Sequence, residues 1–279
     1  MKLRSSGPGP SPRPSPGPSP SSVDTLGSLA AQHGLLIGCA LRAELMLPDL
    51  STFKSADQPL VQKYRDIAYT QFTLFDPMNA CKWTIVNKVK NQPNYTTCTS
   101  MVNLGLQHGQ KIRLNNLMWR NFNPDWLVNT PIKNLEAILF NHISDMLTKT
   151  PKADYWLVCN EAVEGKGLRK IYTPWNKMTF TPKYSGYINK KGQQSVATNY
   201  FEAAFVMANK VKKANGLTCK LYYNDFTWGL ASQKNKRQTI LNLLKGLQTN
   251  GIGVDGAGMQ LHLNTNQKND INISTTLKE

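Results

Sequence analysis

Six apolar runs punctuate the chain: LLIGCAL (35–41), FTLFD (72–76), KIRLNNLMW (111–119), YWLVCNE (155–161), CKLYYND (219–225) and VDGAGMQLHL (254–263). Short apolar runs of this kind mark strands buried on both faces, as parallel strands are. The stretches between them change period. PLVQKYRDIAYTQ (59–71), NLEAILFNHISDMLTKT (134–150), VATNYFEAAFVMANKVKKA (196–214) and RQTILNLLKGLQTN (237–250) place apolar residues three or four positions apart, which predicts helices with one buried stripe. Strand and helix in alternation predict an α/β fold around a parallel sheet, either a (β/α)8 barrel or an open doubly wound sheet.

The polar residues choose between the two. Asn79, Lys82 and Trp83 follow the second run, Trp119 ends the third, Asn160 and Glu161 the fourth, Asn224 and Asp225 the fifth, and Gln260 and His262 the sixth. In a barrel all these strand ends converge on one face, where the chemistry sits. No glycine-rich phosphate loop follows the first run, so a nucleotide-binding open sheet loses ground. The expected fold is a TIM barrel with about six of its eight βα units in this chain.

At 279 residues the chain is long enough for one barrel domain. Residues 5–22, SSGPGPSPRPSPGPSPSS, are Ser, Gly and Pro apart from one Arg, a composition that favours an extended spacer. The expected organisation is therefore a disordered linker over 1–24 and the barrel over 25–279. A linker at the front implies an upstream module or leader, or else a plain tail. The formal charge is +16, from 33 basic and 17 acidic residues. That sign admits nucleic acid or an acidic polymer, but the basic residues are scattered, without a finger spacing or an arginine block, so a solvated surface is the expectation and nucleic acid is not. Five cysteines are too few and too irregular for a disulfide scaffold, their odd number leaves at least one free, and Cys39 and Cys159 sit in apolar runs as small packing residues. No run reaches membrane-spanning length, so no membrane partner is expected, and nothing in these residues directs the chain out of the cytosol.

NACKW, LMWRNFNPDW, NEAV, YYND and VDGAGMQLHL, in this order, resemble glycoside hydrolase family 10, whose members are retaining endo-1,4-β-xylanases on a (β/α)8 barrel. The resemblance covers residues 25–279 and implies a secreted monomer acting on xylan without cofactor or metal. Retaining hydrolysis needs two carboxyl groups about 5 to 5.5 Å apart, one a proton donor and the other an ionised nucleophile. A glutamate closing a buried strand has the partly desolvated setting a proton donor needs, and Glu161 is that candidate. The resemblance places Asn160 on the 2-hydroxyl of the reacting sugar and Asn79 and Lys82 on the non-reducing-side sugars. It makes Trp83 and Trp119 aromatic walls, although a barrel tryptophan serves equally well in the core. Asn224 is carried over as a substrate contact, and Gln260 and His262 as a pair on one face of the sixth strand, the histidine orienting the nucleophile.

Four departures stand out. Met78 occupies a glutamate position of the family pattern, Asn115 and Arg120 occupy two histidine positions, and Phe226 lacks the hydroxyl of a tyrosine; each removes a hydrogen bond worth about 1 kcal/mol. The fourth is the nucleophile, a glutamate on the family's seventh strand. The final INISTTLKE reads as the start of a helix, so Glu279 is a poor substitute. The chain as given is expected to be truncated, with exposed barrel edges, and not to carry out retaining hydrolysis. A catalytically dead polysaccharide-binding relative is the alternative, and a basic nucleic-acid-binding protein trails both. The sequons at Asn94 and Asn272 would carry glycans in a secreted chain.

Overall fold

The computed structural model describes residues 24–263 together with 266 and 270. The linker up to residue 23, the INISTTLKE segment with Glu279 and the sequon at Asn272 lie outside the described residues.

Ten strands are present among these residues. Six form one parallel sheet: β1 (Gly38–Ala40), β2 (Leu74–Asp76), β3 (Lys111–Met118), β4 (Tyr155–Asn160), β9 (Lys220–Phe226) and β10 (Gly256–Gln260). The sheet order is β1-β2-β3-β4-β9-β10, so every neighbour in space is the next sheet strand in sequence. That order, with helices between parallel strands, is the plan of a (β/α) barrel wall, and all six predicted strands belong to it. β5 (Val163–Glu164) with β6 (Gly167–Leu168), and β7 (Gly186–Ile188) with β8 (Gln194–Val196), form two small antiparallel hairpins on the excursion that follows β4.

Burial explains the sheet. In β4, Trp156, Val158 and Cys159 have no exposed surface, and neither do Ile112 and Leu114 of β3 nor Leu221 and Tyr223 of β9. The predicted helices are Gln58–Gln71, Ile132–Lys149, Tyr200–Ala214 and Lys234–Thr249. Tyr200–Ala214 begins where the Asn199 side chain accepts the Glu202 N–H at 2.9 Å, and ends with Lys212 and Lys213 against the negative end of the helix dipole. It packs against both Ile132–Lys149 and β4.

Besides several short helices of four to seven residues, the long helix Thr96–Gln107 escapes the sequence reading because TTCTSMVNLGLQ is rich in Thr, Ser and Asn. Its buried residues Cys98, Met101, Val102 and Gly105 nonetheless follow the i, i+3, i+4, i+7 rule. Gly105 is needed there, since a Cβ would lie 2.7 Å from Ile112 and 2.8 Å from Phe75 of the sheet.

Candidate active site

The C-terminal ends of β3, β4, β9 and β10 carry the candidate residues. β4 stops at Asn160, and Glu161 follows with φ of 58°, a left-handed conformation that costs a non-glycine residue about 1 to 3 kcal/mol. The turn is clamped from both sides. The Glu161 N–H donates to the Asn224 carbonyl at 2.8 Å, and the Glu161 carbonyl accepts from Arg169 Nε at 2.9 Å. The carboxylate, in a residue 9% exposed, takes one neutral donor per oxygen. Trp119 Nε1 donates to Oε2 at 3.1 Å and Gln260 Nε2 to Oε1 at 3.2 Å. The Arg120 guanidinium stands 4.0 Å from Oε2.

A second tier lies one level down. Asn160, Asn224 and Gly258 occupy neighbouring positions in the parallel register. Asn224 Nδ2 donates to Asn160 Oδ1 at 2.8 Å, and Gln260 Nε2 donates to the same oxygen at 3.1 Å. Gly258 makes room for this, because a Cβ there would fall 2.3 Å from Asn224 Oδ1. Gln260 Oε1 in turn meets His262 Nε2 at 3.0 Å, an arrangement that places the imidazole proton on Nε2. Asn224 is buried and directed at Asn160, so it acts on the cleft through its neighbour.

Lys82 and Asn79 close the other side. Lys82 Nζ donates to Asn79 Oδ1 at 2.7 Å and lies 5.2 Å from the Trp119 ring and 4.2 Å from the Phe122 ring. Burial pushes the Lys82 ammonium below the usual lysine range, against the pull of Asp76 and Glu161. Phe122, stacked on Trp119 at 5.4 Å and exposed, adds an aromatic surface that the sequence reading passed over.

Trp83 does not join this group, which corrects one of its two readings. It is 2% exposed, its Nε1 donates to the Leu117 carbonyl at 2.8 Å, and its ring stacks on His142 at 3.5 Å with Trp175 tilted against it at 5.5 Å. An enclosed ring has no face to offer a sugar. It is a prop: Trp175 Nε1 donates to the Trp119 carbonyl at 2.9 Å, so the core cluster reaches the cleft wall from below.

Two further features were missed. Asp76, at the end of β2, is ion-paired with Arg113 and accepts from Asn115 Nδ2 at 2.9 and 3.0 Å and from the Met78 N–H at 2.8 Å. Asn115, a departure from the family pattern, is thus spent inside the protein. Cys81 and Cys98 form a disulfide that ties the loop carrying Asn79 and Lys82 to helix Thr96–Gln107, while Cys39, Cys159 and Cys219 stay free. Its signal was one cysteine just past β2 and another at a buried helix position.

Comparison with known proteins gives one answer. The family model described as glycosyl hydrolase family 10 matches residues 25–279. Endo-1,4-beta-xylanase B of Thermotoga neapolitana is 24% identical over 208 residues, which cover 74% of this chain and 53% of that protein. Endo-1,4-beta-xylanase 1 of Humicola insolens is 29% identical over 196 residues, 69% of this chain and 40% of that protein. The chain therefore spans about half the length, or less, of these relatives. The crystal structure of xylanase 10B from Thermotoga petrophila, in complex with xylobiose, superposes with a TM-score of 0.72 at 22% identity, covering 93% of this chain and 70% of that one. At that identity the likeness shows the fold alone.

Proposed function

The chain belongs to glycosyl hydrolase family 10, and on that premise we propose an endo-1,4-β-xylanase-like reaction in which Glu161 is the acid/base. The observation that supports it is the state of the Glu161 carboxylate: each oxygen accepts one neutral hydrogen bond, and the group sits where the C-terminal ends of β3, β4 and β10 meet. In its protonated form such a group donates to the leaving glycosidic oxygen and later takes a proton from the incoming water. Asn160 is oriented for its part. Its Oδ1 is occupied by Asn224 and Gln260, so what it presents to a sugar 2-hydroxyl is its amide N–H pair. Trp119 and Phe122 supply apolar faces for a pyranose ring, and Lys82 with Asn79 supplies hydroxyl contacts.

The nucleophile is not assigned. Asp76 and Asp225, the other carboxylates at the C-terminal ends of the six sheet strands among the described residues, are held by Arg113 and Lys236. Asn115, held by Asp76, and Arg120 stand at the two histidine positions of the family pattern, and this favours a second reading, a site that binds the polysaccharide without turnover. Reducing-sugar release from xylan and calorimetric binding of xylotetraose, measured on the same preparation, separate the two. Under the first reading Glu161→Gln lowers turnover about a thousandfold and binding persists. Under the second, wild type and variant bind alike and neither releases sugar. Absence of binding would sink both.

The Cys81–Cys98 bridge supports an oxidising compartment, and hence the extracellular location expected of the family. Peptide mapping of protein from the native source should recover Cys81 linked to Cys98; finding both as free thiols would remove that support.

A further inference from the structure

We infer that Arg120 makes this cleft selective for xylan with acidic branches, its guanidinium pairing with the carboxylate of a uronic acid substituent. The inference rests on the reading of the cleft given above. Arg120 lies just past β3, with its side chain 37% exposed. Among the described residues its only charged partner is Glu161, at 4.0 Å, the outer limit of an ion pair, and that oxygen already accepts Trp119 Nε1 at 3.1 Å. A guanidinium has five N–H donors in a fork that matches a carboxylate, so most of this one's capacity is unspent.

The neighbouring cations are committed. Arg113 is bound to Asp76, Arg169 to Glu164 at 2.8 Å, and Lys82 to Asn79 while lying over two rings. The chemistry sharpens the contrast, since a Glu161 that donates a proton must first carry one and is then neutral. Arg120 loses its counter-charge at that step. A carboxylate borne by the substrate restores it. The formal charge of +16 draws such a polymer toward the protein from a distance.

Calorimetry with xylotetraose, and with the same tetraose carrying one glucuronic acid branch, tests this at low and at physiological ionic strength. The acidic sugar should bind about tenfold more tightly at low salt, with the ratio shrinking as salt rises. Arg120→Gln should bring the ratio of the two affinities close to one, and Arg120→Lys, which keeps the charge without the fork, should retain part of it. Thermal melts of both variants check that they fold. Equal affinities in the wild type, or a ratio that survives Arg120→Gln, would overturn the inference and leave the cleft reading intact. If neither sugar binds, the cleft reading fails and takes the inference with it.

Discussion

Glu161 and Asp225 are both carboxylates at strand ends, 9% and 0% exposed, and their surroundings differ in kind. Asp225 is saturated. Lys236 Nζ lies 2.7 Å from Oδ1, which also accepts the Phe226 N–H at 2.8 Å, and Oδ2 takes the Tyr223 hydroxyl and the Val163 N–H at 3.3 Å. Glu161 has two neutral donors, a cation at arm's length and a strained backbone. A carboxylate whose lone pairs are all taken by fixed partners holds the fold; one left partly unsatisfied at a cleft has capacity for a substrate.

Breaking the charge balance at each site should break that symmetry of position. Lys236→Met leaves Asp225 buried and uncompensated, and should cost about 3 to 5 kcal/mol in urea unfolding. Glu161→Gln, which removes a charge with no close cation partner, should change stability by less than about 1 kcal/mol. Equal costs would mean that the two carboxylates play the same structural role.

The cleft side has its own fastening. The Cys81–Cys98 bridge closes a loop of 17 residues, and its reduction should cost about 3 kcal/mol by releasing chain entropy in the unfolded state. Unfolding with and without reductant measures this. The same reduction should weaken xylotetraose binding, because Lys82 rides on that loop and Asn79 lies two residues before it, whereas the Asp225–Lys236 pair, on other elements, should be unaffected.

Beneath the cleft lies a buried base. Burial pushes the His142 imidazole down to about 3, and its Nε2 has no partner among the described residues. In the unfolded chain a histidine titrates near 6.5, so between these values the unfolded state binds more protons and stability rises with pH. The stability is fully present above about pH 6.5 and is lost as pH falls toward 3, amounting to about 2 kcal/mol by pH 5. His142→Gln should flatten that slope in a denaturation series. An unchanged slope would assign acid sensitivity elsewhere.

What the sequence disclosed follows from how local each signal is. Six strands were legible because each lies in an apolar run, most plainly β4, which is buried almost throughout, and Glu161 and Gln260 were singled out because the resemblance fixes strand-end positions. Trp83 was not, since whether an indole is wall or core is decided by His142 and Trp175, both distant in sequence. The same holds for Asp76, whose partners Arg113 and Asn115 come from the next strand. The β5–β6 hairpin did have a local signal, VEGKGL, with Gly165 at φ 57° in its two-residue turn. It went unread between stronger patterns.

Gly258 offers the finest test of how the cleft is built. It touches no substrate in the proposed reading, and in a strand interior glycine is otherwise a poor choice. Its value is the space it leaves: a Cβ would sit 2.3 Å from Asn224 Oδ1. Asn224 is short and buried, so it can yield only by swinging its amide off Asn160. Gly258→Ala should therefore cost about 1 to 2 kcal/mol through overpacking. It should also free the Asn160 amide to rotate, weakening xylotetraose binding through a residue that contacts no sugar. Gly246→Ala is the control, since a Cβ there meets nothing within 4 Å and the residue lies on an outer helix. If Gly258→Ala binds the tetraose as the wild type does, the Asn224–Asn160 bond is packing, and the orientation of Asn160 must come from Gln260 alone.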